Sequence, residues 1–272
     1  MIRKLCALCA ALSLFLLAAP AFALEEPPAW AYPLAPEIIY DYEKYITLAN
    51  RDHLLDSSFV PDDLVKTTVR RAKGTDAMEL REAASIALSA MFEAASEAGY
   101  TLYLKSAYRA YSTQKYMYNT RLEKNHGKDD GLVSYPGASD HQTGLGVDVL
   151  NYAWTLKDGM NKEFAATAEA QWMKAHCHEF GFILRYLEDK EEITKIKFEP
   201  WHFRYVGPEA AAYIMENRLS LEEFTEEWQA YVAEYEAQGT SLEALIRYRA
   251  RPRNATIVRY GEDGEEEYSI FY

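Results

Sequence analysis

The spacing of apolar residues predicts five helices along the chain. Their approximate bounds are 79–98, 112–125, 161–180, 208–217 and 220–238. The three- and four-residue steps that give a helix one hydrophobic face are clearest in 79–98. Gly99 and Gly181 are expected to end two of these helices, because glycine readily adopts the left-handed backbone that closes a helix. Ser112 and Ser220 are candidate N-terminal caps, and Ser220 begins a Ser-x-x-Glu capping-box pattern.

Shorter apolar or alternating runs predict β-strands between these helices. The runs are 100–105, 145–150, 182–187, 195–198 and 201–205, with a C-terminal hairpin over 256–260 and 266–271. In 201–205 the residues alternate, so His202 and Arg204 share one side of the strand and three aromatic residues share the other. The run 145–150 is apolar apart from Asp148, and a charge there is unfavourable unless it is paired or bound to a metal ion.

The two ends of the chain differ in character from its middle. Arg3 and Lys4, the apolar run 5–19 and an Ala-x-Ala pattern ending at Ala23 predict a secretory signal peptide that is cleaved after Ala23. An uncleaved membrane anchor is the alternative. We therefore expect an exported protein, extracellular or in the cell envelope. The proline-rich segment after the signal is expected to form an arm that packs on the main domain.

Composition and charge argue against nucleic acid or membrane surfaces as partners, and the cysteine count argues against stabilisation by a disulfide. The chain is 49% hydrophobic and 26% charged, which suits a globular protein. Its net charge of −13 argues against nucleic acid or an anionic membrane surface as the main partner. Cys6 and Cys9 lie in the predicted signal, so only Cys177 remains and no internal disulfide can form. Cys177 is expected to be a buried thiol within a helix and not a nucleophile.

Two short segments together hold two imidazoles and two carboxylates. His141 precedes the strand that carries Asp148, and Glu199 lies three residues before His202. A catalytic zinc site needs three protein ligands and an open position, with a carboxylate that acts on the bound water. Two histidines and one aspartate with Glu199 as the base would meet that need. Taken singly, Asp148 could cap a turn and His202 could be a core histidine, but the four together favour a metal site.

Four blocks of residues follow one another in a specific order. They are Ser106–Arg109, Gln114, Ser139–Asp148 and Glu199–Gly207. In this order they resemble the VanY-type family of zinc D-alanyl-D-alanine carboxypeptidases, which also includes D,D-dipeptidases, L,D-carboxypeptidases and phage cell-wall endopeptidases. The resemblance covers about 79–207 and implies an α+β fold in which helices pack on an antiparallel sheet carrying the zinc site. One departure is Gly146, where alanine is commoner in the family, and it affects packing and not the ligands.

The resemblance also implies roles for individual residues. The zinc ligands would be His141, Asp148 and His202, and the catalytic base would be Glu199. The residues along the bound peptide would be Arg109, Gln114 and Ser139. Arg109 is the candidate for reading a free terminal carboxylate, because a guanidinium presents a fixed fork of charged donors. Arg204 is the alternative, unless a structural ion pair occupies it.

The predicted function is that of a zinc-dependent D,D-carboxypeptidase, which hydrolyses the terminal D-Ala from peptidoglycan stem peptides with zinc-bound water as nucleophile. The alternatives are an L,D-carboxypeptidase acting on tetrapeptide stems and a non-catalytic module that binds cell-wall peptides. The expected division of the chain is a signal peptide over 1–23, an N-terminal arm over 24–78, a zinc carboxypeptidase domain over 79–210 and a C-terminal extension over 211–272. We expect a monomer that binds neither nucleic acid nor nucleotides.

Overall fold

The structure is a computed structural model that describes residues 26–250, 256–260 and 266–270, so the predicted signal segment lies outside it. The strands of the described residues are β1 (Leu64–Lys66), β2 (Glu79–Arg81), β3 (Leu102–Ser106), β4 (Gly146–Asn151), β5 (Phe182–Leu184), β6 (His202–Tyr205), β7 (Thr256–Tyr260) and β8 (Glu266–Ile270). The helices are α1 (Pro36–Tyr40), α2 (Tyr42–Tyr45), α3 (Glu82–Glu97), α4 (Tyr111–Lys124), α5 (Tyr152–Thr155), α6 (Ala168–His176), α7 (Glu191–Thr194), α8 (Pro208–Glu216), α9 (Leu221–Glu236) and α10 (Leu242–Arg249). Across this part of the chain, no helix has the length and apolar character needed to cross a membrane.

The centre of the fold is a four-stranded antiparallel sheet in the order β3-β4-β6-β5. Strands β1 and β2 form a second, two-stranded antiparallel sheet, and β7 and β8 form a third, which is the predicted C-terminal hairpin. Helices separate the four strands of the central sheet along the chain. The predicted α+β fold with an antiparallel sheet is therefore confirmed.

The two faces of the central sheet carry different kinds of side chain. Val147 of β4 and Phe203 of β6 are fully buried in a hydrophobic cluster that also contains residues of α3 and α6. Asp148, His202 and Arg204 alternate with these residues along the same strands and lie on the opposite face. The alternation predicted for 201–205 is confirmed, and it separates the apolar core from the chemistry-bearing side chains.

A second hydrophobic cluster joins the N-terminal arm to the C-terminal helices. Its buried members include residues of α1, β5, α8, α9 and α10, among them Ile39, Ile183, Ile214, Phe224 and Leu245. At the start of the arm the Tyr32 hydroxyl donates to the Glu227 carboxylate at 3.0 Å. The Trp30 ring packs edge-on against the Tyr235 ring, with 5.2 Å between the ring centroids. The segments before and after the sheet therefore pack on each other as well as on the sheet.

Helix α9 begins with the predicted capping box. The Ser220 hydroxyl accepts from the backbone N–H of Glu223 at 3.2 Å, and the Glu223 carboxylate accepts from the backbone N–H of Ser220 at 2.8 Å. These two bonds satisfy N–H groups that an uncapped helix end leaves unpaired. Helix α10, in contrast, was not predicted from the sequence.

The prediction of one continuous helix over 161–180 is wrong. The segment is divided into a 3-10 turn over Lys162–Ala166, helix α6, and a second 3-10 turn over Cys177–Phe180. Thr167 causes the first break, because its backbone is extended and its hydroxyl accepts from the N–H of Ala170 as an N-terminal cap. Gly181 ends the segment with φ of +80°, as predicted.

Two further local predictions are wrong. Segment 195–198 is not a strand: Lys195 has φ of +60°, and the N–H of Lys197 bonds to the backbone oxygen of Gly131 at 2.9 Å, which joins two loops. Ser112 is not a cap either, because α4 begins one residue earlier and Ala110 occupies the capping position.

Candidate metal centre

The central strands and one turn bring three predicted ligands together. Asp148 of β4 and His202 of β6 are direct cross-strand partners in the sheet register. His141 lies in a 3-10 turn over Asp140–Thr143 that runs into β4, and Gly144 closes this turn with φ of +69°. One ligand atom from each of His141, Asp148 and His202 lies within 4.8 Å of the others, and all three residues are buried.

The two imidazole rings each turn one nitrogen toward the Asp148 carboxylate. The Nδ1 of His141 lies 2.7 Å from the backbone oxygen of Ala107, and its Nε2 lies 3.4 Å from Asp148 Oδ2. The Nδ1 of His202 lies 3.1 Å from Asp148 Oδ1. When His141 donates its Nδ1 proton to Ala107, its Nε2 lone pair is directed at the shared centre. Two nitrogens and a carboxylate oxygen are a ligand set that suits zinc and leaves a coordination position open.

Burial and close pairing change the ionisation of the ligands. Burial raises the pKa of the Asp148 carboxyl, but the imidazoles of His141 and His202 outweigh burial and hold that pKa well below its usual range. Burial lowers the pKa of His202, whereas the Asp140, Asp148 and Glu199 carboxylates raise it to about 9. The charge of Asp148 within the apolar strand β4 is therefore paired with two imidazoles.

Glu199 lies beside these ligands. A turn in which the N–H of His202 donates to the backbone oxygen of Glu199 at 3.0 Å joins the two residues. Glu199 Oε2 is 3.7 Å from His202 Nδ1, the nitrogen that faces Asp148. Burial is the main cause that raises the pKa of Glu199 to about 8. A carboxylate with a raised pKa next to a metal position is suited to exchange protons near neutral pH.

Arg109 and Gln114 form one hydrogen-bonded unit on the other side of His141. The backbone N–H of Arg109 donates to the backbone oxygen of His141 at 3.0 Å. Its guanidinium donates to Gln114 Oε1 at 2.8 Å and to Ser106 Oγ at 2.9 Å. Gln114 in turn donates to the backbone oxygen of Ser134 at 2.7 Å. The guanidinium is thereby fixed in orientation while Arg109 stays only partly buried.

Ser139 lies at the start of the His141 turn. It is 2% exposed, and its backbone oxygen accepts from the N–H of Gln142 at 3.0 Å. The structure therefore brings His141, Asp148, His202 and Glu199 together and links Arg109 to His141 and Gln114 to Arg109, while Ser139 lies two residues before His141.

Arg204 does not reach a position where it could read a substrate carboxylate. Its side chain is fully buried, its Nη1 donates to Asp140 Oδ1, and its Nη2 donates to the backbone oxygens of Tyr45 and Thr47 at 3.1 and 2.7 Å. Of the two interpretations made from the sequence, the structural pairing is correct, and Arg204 as the carboxylate reader is wrong.

A group of buried charged residues that was not predicted from the sequence lies behind the ligands. Asp140, Arg185, Arg204 and Glu222 are at least nine-tenths buried; Arg185 bonds to both carboxylates, and Arg204 bonds to Asp140. Asp140 was visible as an acid next to a predicted ligand, but its partners lie 45 and 64 positions away along the chain. The prediction that Cys177 is a buried thiol is confirmed: its side chain is fully buried, and burial raises the pKa of the thiol to about 12.

Comparisons with known proteins point to the same chemistry. Residues 77–208 match the family model VanY, described as D-alanyl-D-alanine carboxypeptidase. YodJ of Bacillus subtilis (strain 168), a carboxypeptidase by name, is 38% identical over 193 residues, which are 70% of each chain. The solved structure of the LD-carboxypeptidase LdcB is 37% identical with a TM-score of 0.63, and the match covers 68% of this chain and 87% of that chain.

A vancomycin-resistance D,D-pentapeptidase, VanY from the VanB-type cassette, was solved as a mutant in complex with Zn(II). It is 29% identical with a TM-score of 0.55, and the match covers 67% of this chain and 99% of that chain. The length and identity of these matches, together with the ligand geometry, establish a family. The chain belongs to the VanY family of D-alanyl-D-alanine carboxypeptidases.

Proposed function

We propose that this chain is a zinc-dependent D,D-carboxypeptidase that hydrolyses the terminal D-Ala from peptidoglycan stem peptides. One observation carries the proposal: three ligand atoms lie within 4.8 Å of one another, with the Glu199 carboxylate next to them. Arg109 adds a fixed cation at the same centre. A protein that only bound wall peptides would have no need for a base beside a buried ligand set.

The residues of this chain fit zinc and divide the reaction between them. His141, Asp148 and His202 would hold the ion. When bound, zinc supplies acidification of a water molecule and polarisation of the scissile carbonyl. The Glu199 carboxylate accepts the proton of the attacking water and delivers it to the nitrogen of the departing D-Ala.

Arg109 would recognise the free carboxylate of the terminal residue. Bonds to Gln114 and Ser106 hold its guanidinium still, so little side-chain freedom is lost when a peptide binds. A guanidinium can donate two parallel hydrogen bonds to a carboxylate. This arrangement favours cleavage at a chain end over cleavage within a peptide.

L,D-carboxypeptidase activity on tetrapeptide stems is the second candidate. The likeness to LdcB supports it, because this likeness is greater in identity and TM-score than that to the VanY pentapeptidase. Both activities use the same metal centre and differ in the configuration of the residue that precedes the released D-Ala.

Release of D-Ala from synthetic penta- and tetrapeptide stems tests the proposal. We expect the purified protein with zinc to release D-Ala from the pentapeptide, and a chelator to abolish release until zinc is restored. Release from the tetrapeptide alone would assign L,D specificity instead. No release from either peptide, by protein that contains zinc, would contradict a carboxypeptidase function.

We also propose that the protein acts outside the cytoplasm, where peptidoglycan is found. The proposal rests on the basic, apolar and Ala-x-Ala pattern of residues 1–23. Expression of the full chain should yield exported protein whose mass corresponds to a start at Leu24. A full-length product that stays with the membrane would indicate an anchor, and one that stays in the cytoplasm would contradict export. The expected monomer remains a prediction.

A further inference from the structure

His202 has one ring nitrogen that the metal centre does not use. Its Nδ1 faces Asp148 and Glu199, whereas its Nε2 is buried and has no hydrogen-bond partner among the described residues. The carboxylate oxygen Asp140 Oδ2 lies 3.7 Å from this Nε2. A neutral imidazole carries one proton, so an Nδ1 that offers its lone pair to a metal requires the proton on Nε2. That proton would point toward Asp140.

Asp140 is held in place from two sides. Arg185 Nε donates to its Oδ2 at 2.8 Å, and Arg204 Nη1 donates to its Oδ1. Asp140 itself is completely buried. The two guanidinium groups hold the pKa of the Asp140 carboxyl well below its usual range despite its burial. The carboxylate is thus a fixed negative charge behind the ring.

Both arginines are anchored by parts of the chain outside the family match. Arg185 also donates to both Glu222 carboxylate oxygens of α9, at 2.8 and 2.7 Å. Arg204 also donates to the backbone oxygens of Tyr45 and Thr47 in the N-terminal arm. The matched segment ends at residue 208 and begins at residue 77, so neither anchor belongs to it.

Gly146 makes room for this arrangement. A Cβ at this position would meet the Cβ and carbonyl carbon of Asp140 at 3.0 Å, which is closer than such atoms normally approach. Glycine therefore lets the Asp140 turn lie directly against β4. Buried ion pairs of this kind seldom stabilise a fold more than apolar residues of similar size would. A role in the geometry of the neighbouring ligand accounts better for the cluster.

We propose that Asp140 is a positioning residue: its carboxylate faces Nε2 of His202, favours the proton on that nitrogen, and so leaves the Nδ1 lone pair directed at the metal. The proposal rests on the zinc function proposed above. Carboxylate partners of metal-bound histidines commonly change metal affinity 10- to 100-fold when removed. Arg185 and Arg204 act by fixing the Asp140 carboxylate.

The test compares zinc affinity in two isosteric variants of the same cluster. Asp140→Asn removes the charge behind His202, and we expect zinc affinity, measured by competition with a chromophoric chelator, to fall about 10- to 100-fold. Glu222→Gln is the matched control, because it also removes a buried carboxylate charge but lies on the far side of Arg185. We expect its zinc affinity to equal that of the wild type.

Two results would overturn the proposal. One is wild-type zinc affinity in folded Asp140→Asn, and the other is an equal loss in Glu222→Gln, which would indicate general damage to the cluster. Zinc affinity is measured without peptide, so failure of the proposed peptidase specificity would not affect the result. Nitrogen-15 NMR of the neutral His202 ring, recorded in zinc-free protein above pH 9, adds an independent readout: we expect an Nε2–H tautomer in the wild type and a changed tautomer population in Asp140→Asn.

A second pair of variants keeps the test decisive if Asp140→Asn does not fold. Asp140→Asn combined with Arg204→Gln restores the charge balance of the buried cluster, and Arg204→Gln alone is its reference. We expect the double variant to bind zinc about 10- to 100-fold more weakly than Arg204→Gln. Equal affinities in these two proteins would contradict a positioning role for Asp140.

Discussion

Replacement of Glu199 by glutamine is expected to lower kcat/KM for D-Ala release by about 10²- to 10⁴-fold, the usual contribution of a general base. Glutamine has nearly the same shape but cannot accept the proton of the attacking water. The three predicted ligands remain, so the variant should still contain zinc by metal analysis. Activity and metal content measured on the same preparation therefore separate loss of the base from loss of the centre.

The matched control is Glu192→Gln, seven residues earlier, where the side chain is fully exposed on α7. We expect this variant to hydrolyse the peptide at the wild-type rate. A Glu199→Gln protein that contained zinc and kept more than about a tenth of the wild-type activity would mean that another group serves as the base.

The pH profile of the wild type provides a second check on Glu199. Only the ionised carboxylate can accept a proton, so activity should fall as the pH drops through its pKa. Burial raises that pKa to about 8 in the protein alone, and a bound cation favours the ionised form. The acid limb of kcat/KM is therefore expected below pH 8, and it should disappear from the residual activity of Glu199→Gln.

Replacement of Arg109 by glutamine is expected to lower kcat/KM for pentapeptide cleavage about 10- to 100-fold, the effect of losing hydrogen bonds to a charged group. A more specific result is expected when peptide substrates with different C-terminal groups are compared. The wild type should cleave a peptide with a free carboxylate far better than the same peptide with a C-terminal amide. Arg109→Gln should have lost most of this preference, because the group that distinguishes the two ends is gone.

Arg218→Gln is the control for Arg109, because Arg218 is an exposed arginine paired with Asp189 on the surface. It should keep both the rate and the preference for the free carboxylate. If Arg109→Gln cleaved both peptides more slowly but kept the wild-type ratio, the carboxylate would be read by another residue.

The sequence alone was enough to predict the centre because its signals are local. Alternation in 201–205 puts His202 on one face of a strand, and Asp148 is conspicuous as an acid within an apolar run. The three-residue step from Glu199 to His202 is also a local pattern. Order along the chain then related these segments to a known family. None of these steps requires knowledge of distant contacts.

The parts that could not be predicted depend on contacts between distant segments. Nothing near Arg185 in the sequence indicates that it bridges Asp140 and Glu222, or that Arg204 binds the arm. Segment 195–198 has a strand-like composition, but the N–H of Lys197 bonds to Gly131 in a neighbouring loop and that of Phe198 bonds to the Glu191 side chain. Likewise, nothing in the sequence around Thr167 shows that its hydroxyl caps a helix that begins after it, so the division of the predicted helix at this residue could not be predicted.

Because Asp148 and His202 are paired directly across β4 and β6, the metal centre can form only when these two strands are in the correct register. A slip of one residue between these strands would move one of the two ligands to the apolar face of the sheet. A misaligned chain could therefore not assemble the three-ligand set, and the cation would bind selectively to the correctly paired fold. Because a ligand that binds only the native state stabilises it, zinc would favour correct strand pairing over slipped alternatives.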